Sequence, residues 1–239
     1  MSHGFGAALK VDDGKPRLPG SLHLNRWLSQ WLHFRADGVV EVKPGKVELG
    51  QGILTTLAQI AADELDVALE RIRVVSVVTP ESPDEAVTSG SLSVQDSGSA
   101  IRHASSDARR IFLSVAAQRS GVAFETITVQ DGDFIGPQGK IGSYWQFADA
   151  GLLEVEASPE ARAKPVAARR LVGVSAPRRD LPGKLQGAPA YVHDLRLPGM
   201  LHARVIRPSA RGAQLEALAD GALPGDARLL RDGNFLAVL

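Results

Sequence analysis

The sequence predicts an α+β fold, in which helices pack on mixed sheets. Two stretches carry apolar residues at the spacing of an amphipathic helix, one between residues 54 and 65 and a longer one that includes residues 100–115. Short strand-like apolar runs flank the first helix, and a hairpin pattern follows the second. The 239 residues are 44% hydrophobic and 23% charged, a globular composition with room for one large or two modest domains.

Charge and cysteine content exclude several kinds of site. Lys+Arg and Asp+Glu number 27 each, so the net charge of zero gives no electrostatic argument for binding nucleic acid or an anionic membrane surface. Cysteine is absent, which excludes disulfides, zinc–thiolate sites and iron–sulfur ligation by this chain. The six histidines lack ligand spacing, so we predict no metal ligands. No apolar run approaches the roughly 20 residues of a membrane span, no export signal is visible, and we expect a cytoplasmic protein.

The first 80 residues are interpreted as an arm followed by a strand–helix–strand unit. Residues 1–20 hold few large apolar side chains and are predicted to form a flexible arm. The next apolar residues fit both a short amphipathic helix and an extended strand: Leu24, Trp27, Leu28, Trp31 and Leu32. Residues 36–49 indicate two short strands around a Pro44–Gly45 turn. The helix that follows places on one face Leu54, Leu57, Ile60 or Ala61, and Leu65.

The middle of the chain predicts a strand, a long helix and a hairpin. Residues 70–78 alternate as a strand with one buried face. The long helix has an apolar stripe comprising Ala100, Ile101, Ala104, Ala108, Ile111, Phe112 and Val115. Its predicted solvent-facing residues are Arg102, Asp107, Arg109 and Arg110. Asp131–Gly132 is a candidate type I′ hairpin turn, and Ser143 and Gln146 have capping-box spacing at the start of a further helix.

A change in composition suggests where domains divide. Residues 154–172 are rich in Ala, Pro and charge and lack an apolar period, so we predict a linker there. It separates a domain segment over residues 21–153 from a strand-rich segment over residues 173–239. The apolar run from Phe235 to Leu239 is predicted to be an unpaired strand edge, which would make the isolated chain poorly soluble.

The first candidate binding segment is a glycine–glutamine–glycine turn at a strand-to-helix junction. The first turn of a helix leaves backbone N–H groups unpaired and carries a partial positive charge. Gly50 and Gly52 allow a ligand to approach the backbone, and the amide of Gln51 offers an acceptor and two donors. The turn is neither a Walker loop nor a dinucleotide fingerprint, because the Gly-Lys-Ser/Thr sequence and the third glycine are missing.

The second candidate is the segment TSGSLS, Thr88 to Ser93. The hydroxyls of Thr88, Ser91 and Ser93 and the backbone around Gly90 are suited to donate hydrogen bonds to a phosphate or a pterin. Both segments also have a purely structural interpretation. Glycine turns before helices are common, and Ser/Thr clusters cap helices. Spacing alone leaves these interpretations open.

Three blocks in a fixed order carry a family resemblance. They are VEVKPGKVELGQGILTTLAQIAADELDVALERIRVV, then TPESPDEAVTSGSLSVQDSG, then AIRHASSDARRIF. Together they resemble the molybdenum-binding subunit of the xanthine dehydrogenase/aldehyde oxidase superfamily. The later stretch LVGVSAPRRDLPGKLQGAPAYVHDLRLPGMLHARVIRP resembles the start of that subunit's α/β hammerhead domain. This order is similar to that of isoquinoline 1-oxidoreductase and nicotinate dehydrogenase large subunits, and the resemblance covers residues 18–239.

The resemblance implies a molybdenum hydroxylase that oxidises an N-heterocycle or an aldehyde with a water-derived oxygen. The implied cofactor is molybdopterin carrying molybdenum, in its cytosine dinucleotide form. Its implied contacts are Gly50, Gln51, Gly52, Thr88, Gly90, Ser91 and Ser93. The implied partners are a small iron–sulfur subunit that accepts the electrons, the remainder of the molybdenum subunit, and a cytochrome or flavin subunit as a candidate electron acceptor.

The sequence departs from the family pattern in one respect. The family's pocket segment and its catalytic glutamate lie beyond the part of the pattern matched here, so no residue is assigned as catalytic, Glu48 and Glu64 included. We therefore expect a piece of a molybdenum subunit, with an incomplete hammerhead domain over residues 173–239. The alternative is a non-catalytic remnant or assembly module that keeps the fold without the cofactor. An unrelated nucleotide-binding protein is disfavoured by the absence of a phosphate-loop signature.

Overall fold

The computed structural model describes residues 14–217, 223 and 225–239, so most of the predicted arm lies outside the described residues. The chain divides into two compact units, Met1–Pro182 and Gly183–Leu239. The α-helices are α1 (Ile53–Leu65), α2 (Ser99–Ser120) and α3 (Leu181–Leu185). Single 3-10 turns cover Gly20–His23, Leu28–Gln30, Leu69–Arg71, Phe124–Thr126, Trp145–Phe147, Val166–Ala168 and Val192–Asp194. Helices with short sheets confirm the α+β prediction, while the hammerhead assignment stays a prediction.

The first sheet is mixed and is built around α1. Strands β1 (Leu32–Phe34) and β2 (Val40–Val42) are antiparallel, and β3 (Ile72–Val74) runs parallel to β2. Parallel neighbours need a crossover connection, and α1 lies in it. The predicted second strand after the Pro44–Gly45 turn is wrong. Residues 45–48 instead bond to the 85–88 segment and to the first turn of α1.

Helix α2 and an antiparallel three-stranded sheet form the rest of the first unit. The strands are β4 (Thr128–Gln130), β5 (Asp133–Gly136) and β6 (Gly139–Ser143). Asp131 has a φ of 47° and Gly132 a φ of 85°, which confirms the type I′ turn because that turn needs positive φ at both central residues. The helix predicted from Ser143 is only a 3-10 turn, Trp145–Phe147. Ser143 accepts a hydrogen bond from the Gln146 N–H at 3.3 Å, but the reciprocal half of the capping box is missing from the described contacts.

The core lies between α1, α2 and the two sheets. The apolar stripe of α2 is confirmed in outline, with buried side chains at Ala100, Ile101, Ala104, Ala108 and Phe112. The Phe112 ring lies 4.7 Å from Phe34 and 5.2 Å from Tyr144 between ring centroids. The prediction that Asp107 faces solvent is wrong. Asp107 is 1% exposed because its carboxylate accepts the Ser158 N–H at 2.7 Å and pairs with Arg110 at 2.7 Å.

The second unit contains one antiparallel sheet in the order β7-β9-β8. Its strands are β7 (Arg204–Ile206), β8 (Leu229–Asp232) and β9 (Phe235–Val238). The prediction of an unpaired strand at Phe235–Leu239 is wrong, because β9 is the central strand and pairs on both sides. Leu236 and Ala237 are buried accordingly.

Among the described residues, no helix combines the length and apolar character that crossing a bilayer requires.

The division between the compact units falls after Pro182. The predicted domain segments, residues 21–153 and 173–239, with a linker over 154–172, stay predictions. Within the first unit, Ala157 and Ala161 are buried.

Candidate functional site

The two predicted binding segments lie side by side. The Val47 N–H donates to the Thr88 hydroxyl oxygen at 3.0 Å. The ammonium of Lys46, only 2% exposed, donates to the carbonyl oxygens of Glu85 at 2.5 Å and Val87 at 3.0 Å. Segments 41 residues apart in sequence therefore form one continuous surface.

The glycine–glutamine–glycine turn has the backbone shape that glycine permits. Gly50 has a φ of 105° and Gly52 a φ of 83°, both in the region that disfavours other side chains. The carboxylate of Glu48 accepts the N–H groups of Gly50 and Gly52 at 2.8 Å each and of Leu54 at 3.3 Å. Glu48 thus supplies the negative charge that the amino end of α1 favours. The sequence interpretation missed this role, although a glutamate two residues before the turn was visible.

The side chain of Gln51 is folded back onto its own turn. Its amide oxygen accepts the Leu49 N–H at 2.5 Å, and its amide nitrogen donates to the Val47 carbonyl oxygen at 3.0 Å. A primary amide has two donor hydrogens and two acceptor lone pairs, so one of each remains for a ligand. Gln51 is exposed. The Gln51 side chain is therefore fixed by its own turn, and its remaining donor and acceptor are available to a ligand.

The segment Thr88–Ser93 presents hydroxyl groups that are available to a ligand. Gly90 and Ser91 have φ values of 66° and 59°, and Ser93 begins the π-helical turn Ser93–Gly98 that leads into α2. The Thr88 oxygen accepts from Val47, so its own hydrogen is free to donate. Within the described residues, the hydroxyls of Ser91 and Ser93 have no hydrogen-bond partner, and neither bonds to Gln51. The two segments thus meet at Val47 and Thr88.

The buried carboxylate of Glu85 connects three segments that support the site. Glu85 is 6% exposed and accepts hydrogen bonds from the Ser21 hydroxyl, from the Gly45 N–H at 2.6 Å and from the Ser97 hydroxyl at 2.8 Å. Gly45 has to be glycine, because a Cβ there would lie 2.1 Å from the Pro83 carbonyl oxygen. Glu85 therefore connects the first 3-10 turn, the segment before Gln51 and the turn before α2. Nothing in its local sequence indicated this role.

Helix α1 carries a polar stripe that binds an irregular segment, residues 170–180, which we call the strap. Asp63 accepts the N–H groups of Arg170 at 2.8 Å, Leu171 at 3.3 Å and Val172 at 3.2 Å. One turn before Asp63, Gln59 donates to the carbonyl oxygens of the strap residues 171 and 174. Two turns before Asp63, Thr55 accepts the N–H of residue 179. The strap thus runs along α1 towards the Gly50–Gly52 turn.

The carboxyl end of α1 is a buried ionic cluster. Glu64 is 1% exposed, pairs with Arg102 at 2.9 Å and accepts the Lys164 N–H at 3.0 Å. Lys164 also pairs with Asp66 at 2.5 Å, and Arg109 does so at 3.2 Å. Burial raises the pKa of the Glu64 carboxyl, and burial lowers the pKa of the Lys164 ammonium. These charges attach residues 164–170 to the helix that carries the turn.

The raised pKa of Glu64 gives a pH prediction. The pKa of Glu64 is higher in the folded state than in the unfolded state, so the protonated carboxyl stabilises the fold at pH values below the unfolded pKa. This contribution to stability is lost as pH rises through the folded pKa. Glu64→Gln removes that titration, so the stability of the variant relative to the wild type should rise across this window. Urea unfolding of both proteins at pH values from about 4 to about 8 measures the difference. A difference that stays flat with pH would contradict the prediction.

The described part of the chain gathers no group of three or more His, Asp or Glu side chains suited to a metal ion. The site instead offers amide, hydroxyl and backbone groups on a glycine-bearing turn. Such groups fit an extended polar ligand with several donors and acceptors.

Comparisons with known proteins identify the family to which much of this chain is similar. A profile of the molybdopterin cofactor-binding domain matches residues 3–172. The chain is 40% identical over 187 residues to one of the subunits of nicotinate dehydrogenase from Pseudomonas putida, which covers 78% of this chain and 16% of that protein. It is 27% identical over 252 residues to the beta subunit of isoquinoline 1-oxidoreductase from Brevundimonas diminuta, covering 87% and 32%.

A third relative and a solved structure are similar to parts of this chain. The chain is 30% identical over 196 residues to membrane-bound aldehyde dehydrogenase [pyrroloquinoline-quinone] of Gluconacetobacter polyoxogenes, covering 80% of this chain and 25% of that protein. A solved structure of Cu,Mo-CO dehydrogenase aligns with a TM-score of 0.42 and 26% identity over 50% of this chain and 15% of that chain. The chain thus spans a third or less of the length of these curated relatives.

The first unit thus places a glycine turn beside a hydroxyl loop, on helices packed against one mixed and one antiparallel sheet. The family match extends over more than half of the chain. The chain belongs to the molybdopterin cofactor-binding domain family, of the type found in xanthine dehydrogenase-family subunits, which confirms the resemblance.

Proposed function

We propose that this chain contributes part of the molybdopterin site of a molybdenum hydroxylase. The observation that carries the proposal is the hydrogen bond between Val47 and Thr88, which joins the two predicted binding segments into one surface. Gly50, Gln51 and Gly52 would line one part of the pterin. Thr88, Gly90, Ser91 and Ser93 would meet its other polar edge or its phosphate.

The residues present fit such a group. The Gln51 amide keeps one N–H and one lone pair, and the hydroxyls of Thr88, Ser91 and Ser93 keep donors that the described residues do not use. Because Gln51 is held by its own turn, little side-chain entropy would be lost when a ligand binds. The role of this chain in the proposal is to bind and orient the pterin.

When bound, molybdopterin would supply the metal centre for hydroxylation of an N-heterocycle or oxidation of an aldehyde. Relatives named nicotinate dehydrogenase and isoquinoline 1-oxidoreductase support the heterocycle, and relatives named aldehyde oxidase support the aldehyde. We propose that electrons leave through a small iron–sulfur subunit and that the cofactor is the cytosine dinucleotide form. The absence of cysteine from the chain is compatible with clusters on a partner. The proposal assigns the catalytic base to no residue of this chain.

Gln51→Ala tests the proposal. The variant should lose about 5- to 150-fold in affinity for the cofactor, and cofactor occupancy should fall with it, because removing a hydrogen-bonding partner that the ligand buries costs about 1–3 kcal/mol. Occupancy is measured as molybdenum per chain after coexpression with the neighbouring subunits of the complex. Gln138→Ala is the matched control, since Gln138 is an exposed glutamine in the β5–β6 turn.

Two results would contradict the proposal. If no complex containing the wild-type chain holds molybdenum, the cofactor role fails. If Gln51→Ala and Gln138→Ala retain molybdenum equally well, Gln51 makes no cofactor contact. The first result would favour a remnant or assembly module.

A further inference from the structure

The carbonyl side of the glycine–glutamine–glycine turn is held by a residue 128 positions away. The Arg178 guanidinium donates to the Gly50 carbonyl oxygen at 2.8 Å. It also pairs with Asp180 through two nitrogens, at 3.1 and 2.7 Å, and lies 3.7 Å from the Glu48 carboxylate. Two carboxylates around one guanidinium fix its orientation through a planar, forked set of donors.

The guanidinium also lies directly against Gly52. A Cβ built on Gly52 would be 3.4 Å from the Arg178 Nε atom and 3.5 Å from its Cδ atom. Glu48 occupies the N–H groups of Gly50 and Gly52, and Arg178 occupies the Gly50 carbonyl. The turn is therefore fixed on its donor side and on its acceptor side by an oppositely charged pair.

Fixing the Gly50 carbonyl also sets the direction of the next N–H. In a planar trans peptide the C=O of one residue and the N–H of the next point in opposite directions. The Gly50–Gln51 bond is trans, since the cis bond among the described residues is Thr79–Pro80. The Gln51 N–H therefore points away from Arg178, and the described residues provide it with no acceptor.

Among the described residues, Arg178 makes the one hydrogen bond to this peptide group, since Glu48 binds the neighbouring N–H groups of Gly50 and Gly52. Gly50, with a φ of 105°, is free to adopt other backbone angles, and rotation of the plane needs only local changes. A rotated plane would present the carbonyl oxygen where the N–H now points. An acceptor at that position would meet a lone pair instead of a donor.

We propose that Arg178 is a positioning residue, which directs the backbone N–H of Gln51 towards the bound cofactor by holding the Gly50 carbonyl. The inference rests on the proposed function and deepens it. It adds a backbone donor to the side-chain donors of the site, and it assigns the strap a role beyond packing. The ligand chemistry it requires is an acceptor atom, such as a pterin oxygen or nitrogen or a phosphate oxygen.

The test compares Arg178→Ala, Arg178→Lys and the control Arg162→Ala in the full chain coexpressed with its neighbouring subunits. Arg162 is exposed and bonds only to nearby carbonyl oxygens within the described structure. Three quantities are measured: hydrogen exchange over residues 49–54, molybdenum per chain, and the midpoint of thermal unfolding. The lysine variant keeps the charge but loses the forked donors, so it separates charge from geometry.

We expect Arg178→Ala to speed exchange over residues 49–54 by about 10-fold or more and to lower molybdenum content by about 5-fold or more. Its unfolding midpoint should match that of Arg162→Ala, and Arg178→Lys should recover only part of the molybdenum. Unchanged exchange in Arg178→Ala would overturn the positioning role. Faster exchange with unchanged molybdenum would overturn the Gln51 N–H as a cofactor donor. A wild-type complex without molybdenum would overturn the proposed function and this donor role with it, while the exchange data would still decide whether Arg178 fixes the turn.

Discussion

Glu85→Ala is expected to lower the free energy of unfolding by about 3 kcal/mol, because it leaves one buried and two half-buried donors without an acceptor. Those donors are the hydroxyls of Ser21 and Ser97 and the N–H of Gly45. For a chain of this size, that loss corresponds to a fall of roughly 6–12 °C in the unfolding midpoint. Urea unfolding and a thermal scan measure the two quantities.

Two further variants serve as comparisons for Glu85→Ala. Glu81→Ala is the control, since Glu81 is exposed and only its backbone appears in the hydrogen bonds of the described residues. Glu85→Gln should be intermediate, because the amide keeps an acceptor oxygen but turns an NH₂ group towards the donors. If Glu85→Ala is no less stable than Glu81→Ala, the three hydrogen bonds contribute nothing to stability. The position of Thr88 beside Val47 would then need another explanation.

Local patterns predicted the elements whose stability is decided locally. The long helix followed from the spacing of Ala100, Ala104 and Phe112, and the hairpin turn followed from Asp131–Gly132. Local patterns failed where a distant partner decides the outcome. Asp107 is buried by a bond to Ser158, and β9 is central because Arg204–Ile206 pairs with it. Ser158 and the strand Arg204–Ile206 both lie too far away in sequence for a local apolar period to reveal these contacts.

The candidate site shows the same division. Gly50, Gln51 and Gly52 could be identified from a glycine pattern and from the chemistry of one side chain. The residues that hold them were missed, namely Lys46, Glu48, Glu85 and Arg178. Except for Glu48, their partners in the site lie 12 to 130 positions away, and a charged residue that will be buried looks in sequence like one on the surface. Positive φ at Ser91 was also beyond sequence reasoning, because serine rarely adopts it.

The segment predicted to be a linker makes backbone hydrogen bonds that its composition does not reveal. Residues 164–172 lack an apolar period, yet Asp63 and Glu64 accept four of their backbone N–H groups. A segment bound through its backbone needs no apolar side chains of its own, so its sequence carries no sign of the attachment. The visible sign is on the helix, where Thr55, Gln59 and Asp63 recur every four residues.

Asp63→Ala tests that attachment and is expected to cost about 2–3 kcal/mol, because three N–H groups of the strap lose their acceptor. Trypsin should then cleave after Arg169 and Arg170 faster than in the wild type, since a released backbone fits a protease better. Asp149→Ala, at an exposed aspartate, is the control, and Asp63→Asn should be intermediate because it keeps one acceptor oxygen. Hydrogen exchange over residues 49–54 should stay slow in Asp63→Ala, because Arg178 still holds the other end of the strap. Faster exchange there would show that the whole strap acts as one cooperative unit, and equal trypsin cleavage in Asp63→Ala and Asp149→Ala would show that Asp63 does not anchor it.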